Sequence, residues 1–268
     1  MIYYKTNQEI ELLRASAQLV IKTLAQLALE IKEGMTPFQL DAIAETFIRD
    51  HGATPAFKGF HGFPNACCIS MNDAVVHGIP TNKPFENGDV ISVDVGVVLQ
   101  EYIGDSAYTF ALGDLKPEIS QLLKVTKESL QLGIAQAKAG NRVGDIGFAI
   151  QDYTEKKHHY GVVRELTGHG LGKGLHEGPE VPNYGKRGSG QKLKEGLVIC
   201  IEPMINLGKK EVHTAEDDWT VLTQDGSISA HYEQTIAIKK GEPDVLANFE
   251  EIEKNIFKNK VLNNSFLA

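Results

Sequence analysis

Four carboxylates and one imidazole sit where a globular chain normally places apolar side chains. Asp94 lies in Val90-Ile-Ser-Val-Asp-Val-Gly-Val-Val-Leu99, Asp105 in Tyr102-Ile-Gly-Asp-Ser-Ala-Tyr-Thr-Phe110 and His169 in Thr167-Gly-His-Gly-Leu-Gly172. Glu202 lies in Leu197-Val-Ile-Cys-Ile-Glu-Pro-Met204, and Glu233 in Ile228-Ser-Ala-His-Tyr-Glu-Gln-Thr-Ile-Ala-Ile238. Acidic side chains disfavour strands and are costly to bury unless paired or bound to a cation. One such residue is explained by a solvated strand face; five in core-like runs call for a common partner, a metal site.

The spacing of the two aspartates supports this. Side chains alternate along a strand, so Asp94 shares a face with Ser92 and Gly96. If residues 90–110 fold as a hairpin with an even-length loop, Asp105 falls on that face, opposite or diagonal to Asp94, with a diagonal separation of roughly 7–8 Å. The four carboxylates carry a charge that two divalent cations neutralise, and a neutral imidazole completes the set. Such an oxygen-rich set suits manganese, iron, cobalt or zinc. Two ions roughly 3.5–4 Å apart activate water and stabilise an oxyanion, so the chemistry implied is hydrolysis.

The rest of the chain narrows the field. A length of 268 residues with 42% hydrophobic content builds a sizeable core. The net charge of −8, with dispersed lysines and arginines, argues against nucleic acid as a partner. The 3 cysteines form no disulfide framework or C-x-x-C pair, which fits a reducing compartment. The N-terminus lacks a leader pattern and no apolar run reaches bilayer length, so the expected location is cytoplasmic, without membrane contact.

Thr6 with Glu9 forms a capping box for a first helix that stops by Gly34, and Thr36-Pro37 opens a second that ends near Gly52. Strands are expected at 67–71, 75–77, 90–99 and 102–110. Helices follow at 117–139 and 143–159, then strands near His169, at 197–206, 219–222 and 228–238. Two helices then strands, twice, indicate an α+β fold of two related halves. The ligands come from both halves, which favours one catalytic domain over residues 1–241 with its site at the junction. Residues 242–268 read as a partly helical C-terminal tail packed at the surface.

Several motifs carry a resemblance: Val76-His-Gly-Ile-Pro80, Asp94 and Asp105 eleven positions apart, Thr167-Gly-His-Gly-Leu-Gly172, Leu175-His-Glu-Gly-Pro-Glu180, Ile201-Glu-Pro-Met204 and Tyr232-Glu-Gln-Thr235. From about residue 7 to 240 the chain resembles type I methionine aminopeptidases of the pita-bread fold, in which two pseudo-symmetric halves place helices on a curved antiparallel sheet. The resemblance implies that Asp94, Asp105, His169, Glu202 and Glu233 bind two divalent ions, with Asp105 and Glu233 bridging. Glu202 would also be the proton acceptor, and His77 and His176 would contact the substrate and stabilise the tetrahedral intermediate. The methionine pocket maps onto Phe57, Phe60, Phe63, Cys68, Leu175 and Trp219; Phe60 and Phe63 stand where tyrosines are common. Asn72 and Ser229 match positions that hold a monovalent cation.

The implied activity is removal of the initiator methionine from nascent chains, with a small second residue preferred, a transient ribosome contact and a monomeric state. Within the same fold, aminopeptidase P and prolidase share the ligands but usually carry a large N-terminal domain, whereas here the pattern begins almost at residue 1. A non-catalytic peptide-binding relative would lose ligands that are all present. The Gly168–Gly174 stretch matches neither nucleotide-binding glycine motif, and a glycosidase needs only two acids. His231 shares the face of Glu233, where it is either a donor behind the ligands or solvated.

Overall fold

Thr6 opens the first helix by accepting the Glu9 N–H at 3.3 Å, while the Glu9 carboxylate accepts the Thr6 N–H at 2.8 Å. The computed structural model describes residues 1–267. In it α1 (Asn7–Glu30) buries Leu13, Val20, Leu24 and Leu27, one apolar stripe at helical spacing. This helix is long and apolar enough to span a bilayer, yet 61% of that stretch is buried inside the fold, as in a core helix. A second reciprocal cap, Thr36 with Gln39, starts α2 (Pro37–Asp50).

The first-half strands are β1 (Thr54–Pro55), β2 (Cys67–Met71), β3 (Ala74–Val76), β4 (Val90–Leu99) and β5 (Tyr102–Ala111). β4 is the axis: β5 pairs along its whole length, while β1 and β2 pair with its other edge. The β4–β5 turn is made by Gln100 and Glu101, with φ of 50° and 68°. Left-handed backbone at both positions matches the twist of the flanking strands and fixes the register. Gly104 lets α1 lie directly on β5, since a Cβ there would stand 2.3 Å from the Ser16 carbonyl carbon.

The second half repeats the order with α3 (Pro117–Ile134) and α4 (Val143–Gln151). Both helices are shorter than expected. α3 ends before Gly140, whose φ is 104°. α4 passes into a π-helical turn over Asp152–Lys157, which sets Glu155 against Arg164. Then come β6 (Gly161–Val162), β7 (Gly168–Gly170), β8 (Glu177–Val181), β9 (Val198–Ile201), β10 (Met204–Asn206), β11 (Val212–Thr214), β12 (Val221–Thr223), β13 (Ser229–His231), β14 (Gln234–Ala237) and β15 (Asp244–Val245). One sheet runs β15-β14-β9-β7-β8, a second β13-β10-β6 and a third β11-β12-β3.

Two runs expected as continuous strands are therefore broken. β9 gives way to β10 at Glu202-Pro203, where proline has no N–H for the ladder. β13 gives way to β14 at Tyr232-Glu233, because the Glu233 N–H turns to the Ala107 carbonyl of β5 at 2.9 Å. Each break carries the chain from one sheet to another.

The halves meet along a seam of hydroxyls. Ser106 Oγ donates to the Glu233 carbonyl, Thr109 Oγ1 to the His231 carbonyl at 2.6 Å, and Thr235 Oγ1 to the Asp105 carbonyl at 2.8 Å. The final helix, α5 (Glu250–Lys258), does not merely rest on the surface. Ile252 and Ile256 are buried, and Asn255 and Asn259 donate to the carbonyls of Ala25 and Ala28 in α1 at 2.9 and 2.8 Å.

Candidate active site

The hairpin register places the two aspartates diagonally: Asp94 lies opposite Ala107, and Asp105 opposite Gly96. Both side chains thus occupy one face, as their spacing requires. Gly96 is needed here because a Cβ would come within 2.5 Å of the Phe57 ring, which packs over that position. Glu202 and Glu233 occupy the two points where the chain crosses between sheets, so they are held at strand ends. His169 is the centre of β7, which lies beside β9 in the five-stranded sheet.

These five residues converge on one cavity of about 590 Å³. His169 Nε2 stands 3.8 Å from Asp105 Oδ2 and 3.6 Å from Glu202 Oε1. Donor atoms of Asp105, His169 and Glu233 lie within 4.8 Å of one another. Two ligands of one ion, each with a bond of roughly 2.0–2.2 Å, stand at most about 4.4 Å apart. Asp94 Oδ1, Asp105 Oδ1 and Glu233 Oε1 are buried and make no hydrogen bond. Unsatisfied carboxylate oxygens facing one another are costly unless cations lie between them, so the donor set fits divalent metal.

The electrostatics agree. Burial pushes the Asp94 carboxyl up to about 6. Burial, then Glu233 and Asp94, pushes Asp105 well above the usual carboxylate range. Glu202 is raised well above it by burial and by Asp94, and Glu233 by burial, Glu202 and Asp94. Burial, helped by His176, lowers His169 to about 4, which leaves a neutral imidazole as a metal ligand requires.

The remaining candidates line the same cavity. His77 follows β3 with φ of 57°, and burial lowers it to about 4, with His231 and His176 adding to the shift. The His176 ring contacts those of His169 at 4.5 Å and Phe60 at 5.3 Å between centroids. Phe57, Phe63, Cys68, Leu175 and Trp219 form the apolar wall, with Phe63 edge-on to Trp219 at 5.2 Å. Asn72 and Ser229 lie elsewhere, joined by a 2.8 Å bond from the Ser229 N–H to the Asn72 carbonyl. The Asn72 side chain is held by Asp89 and Val90, and Ser229 Oγ donates to Asn206 at 2.9 Å.

The metallopeptidase family M24 model matches residues 11–240, which take in all five of the converging residues. The chain belongs to that family. It is 49% identical over 247 residues to a methionine aminopeptidase of Clostridium acetobutylicum, covering 92% of this chain and 98% of that one. The crystal structure of methionine aminopeptidase from Rickettsia prowazekii superposes with a TM-score of 0.90 at 39% identity, covering 92% of this chain and 99% of that one. The prolidase of Pyrococcus horikoshii aligns with a TM-score of 0.75 at 24% identity, covering 92% of this chain and 64% of that one, a likeness of fold. These likenesses give the pita-bread α+β architecture.

Within this M24 site some residues escaped the sequence reading. Cys200 brings its thiol among the donor atoms of Asp105, His169 and Glu233. It lies two positions before Glu202, so strand alternation alone could have placed it on the ligand face. Asn183, fully buried, donates to the Glu202 carbonyl at 2.9 Å and braces the strand break, with no local sequence signal. His231 is not solvated: it is buried, with Nε2 3.7 Å from Glu202 Oε2 and no hydrogen-bond partner of its own.

Proposed function

We infer that the chain is a metal-dependent aminopeptidase that hydrolytically removes the N-terminal methionine from polypeptides. One observation carries the reading: buried, unsatisfied carboxylates and a neutral histidine face a cavity whose opposite wall is aromatic and aliphatic. The likeness to methionine aminopeptidases over nearly the whole chain agrees with it. An unbranched thioether suits such a wall, gaining from sulfur–aromatic contact with Phe57, Phe63 and Trp219. The proline-specific alternative rests on likeness of fold alone.

Asp94, Asp105, His169, Glu202 and Glu233 would hold two divalent ions, cobalt, manganese, iron or zinc, with Asp105 and Glu233 shared between them. Such ions polarise the scissile carbonyl and make water acidic enough to attack near neutral pH. Glu202 takes the proton of the attacking water and delivers it to the departing amine. His77 and His176 are lowered by burial and so are neutral at pH 7. Each offers an N–H to the developing oxyanion without a second buried charge. The reading extends to a small second residue, a monovalent cation near Asn72 and Ser229, a cytoplasmic monomer and transient ribosome contact.

The test is to chelate the purified protein, reload it with manganese or cobalt, and offer Met-Ala, Met-Gly and X-Pro peptides. Release of methionine from the first two is expected. Cleavage confined to X-Pro bonds would assign the chain to proline-specific chemistry, and no cleavage with any metal would leave a peptide-binding module.

A further inference from the structure

We infer that residues 1–5 strap down the loop that presents His176, and that Lys5 is the positioning residue of this strap, acting through Glu177. The inference rests on the reading of His176 as a substrate-contacting group. His169 and His176 open and close one loop, and Gly170 pairs with Glu177 across its base. Between β7 and β8 the loop holds two glycines, Gly172 and Gly174, and its own apolar packing is limited to Leu171 and Leu175. Its conformation must be fixed from outside.

The Gly172 carbonyl accepts the Ile103 N–H of β5 at 2.9 Å and the Leu171 N–H donates to the Val198 carbonyl of β9 at 3.0 Å; at the end that carries His176 and Glu177, the fixing groups come from the N-terminal segment. Lys5 Nζ forms an ion pair with Glu177 Oε2 in which the side chains are only 5% and 9% exposed. The other Glu177 oxygen accepts the Gly174 N–H at 3.2 Å, inside the same loop. A Cβ on Gly172 would strike both Glu177 Oε1, at 2.3 Å, and Lys5 Cε, at 2.8 Å, so the loop is folded tightly around the pair. The Lys5 backbone is anchored in turn, its N–H donating to the Gly196 carbonyl at 2.6 Å just before β9, and the Gly178 N–H donates to the Met1 carbonyl at 2.9 Å. Lys5 thus links the loop to the strand that leads into Glu202. A buried pair of this kind is poor evidence of net stability but holds a geometry firmly, because either charge left alone is costly to bury.

The test is a cycle of variants assayed on a Met-Ala peptide with the metal-loaded full chain. Lys5→Met is expected to lower kcat about 10-fold or more with KM within about 2-fold, as a small displacement of a catalytic group does. Lys5→Arg is expected to recover most of the loss. In a His176→Ala background Lys5→Met should change kcat by less than about 2-fold, since groups acting through one another are not additive. Near-normal turnover of Lys5→Met, or an equal loss in both backgrounds, would overturn the inference. If Lys5→Met does not accumulate folded, Glu177→Gln goes through the same cycle with the same two outcomes. Hydrogen exchange gives a readout free of catalysis: amides of Gly172–Glu177 should exchange faster in Lys5→Met while those of β4 and β5 do not. Unchanged exchange in the loop would also overturn it. Failure of the unaltered protein on every methionyl peptide would count against the aminopeptidase reading, and the exchange measurement would still judge the strap.

Discussion

Glu202 stands where the chain leaves β9 for β10, and the proposed function gives it two further roles, metal ligand and proton carrier. Glu202→Gln keeps the shape and removes the basicity, so kcat should fall by about 10²- to 10⁴-fold with the fold intact by circular dichroism. A loss under about 10-fold would remove Glu202 from the proton path. His231 stands behind it with an unmatched Nε2. His231→Ala should weaken metal binding by about 10- to 100-fold in calorimetric titration, the usual effect of removing a group that orients a ligand. Unaltered affinity would make His231 a space-filling residue. That the five proposed ligands share one cavity was legible because acids interrupted apolar runs, a conflict visible in one dimension. Asn183 and Lys5 were not, because a polar side chain in a loop or before a helix conflicts with nothing until its partner is known.

The starts of the capped helices and the central hairpin were readable to within a residue or two because their determinants are local: Thr6 with Glu9, Thr36 with Gln39, and alternation on either side of Gln100-Glu101. The breaks at Glu202 and Glu233 were hidden, since the flanking residues alternate correctly and only the competing carbonyl of Ala107 draws the backbone away. The reach of α5 was hidden too, as its polar composition outweighs the Ile252 and Ile256 stripe. Those two side chains lie in the main core. Ile252→Ala should therefore cost roughly 2–5 kcal/mol in urea unfolding while methionine release at 25 °C persists. A change below roughly 0.5 kcal/mol would show that α5 is an ornament of the surface.

At the scale of the whole molecule, protons and metal compete for the same carboxylates. Asp94, raised from 3.8 to about 6, keeps a proton in the native metal-free chain that the unfolded chain has already lost between those values. Its contribution to stability of the metal-free form accordingly falls as pH rises across that window. His77, lowered from 6.5 to about 4, has the opposite sign: the unfolded chain takes up the proton first, so its contribution is lost as pH falls through that range. Metal loading should release more protons as the pH is lowered, because Asp105, Glu202 and Glu233 are raised well above their ordinary values while His169 is already neutral. Calorimetry in buffers of different ionisation enthalpy measures this release, and a value of zero would mean that the carboxylates are ionised before metal arrives.

The hydroxyl seam of Ser106, Thr109 and Thr235 binds the halves through backbone carbonyls, apart from the carboxylates that would grip the ions. These bonds need no cation, so a nascent copy can close its halves first and be charged afterwards, and a cation that binds only the folded chain then adds to its stability. Its ion content then follows whatever the surrounding pool supplies, and one ion can be exchanged for another without dismantling the scaffold.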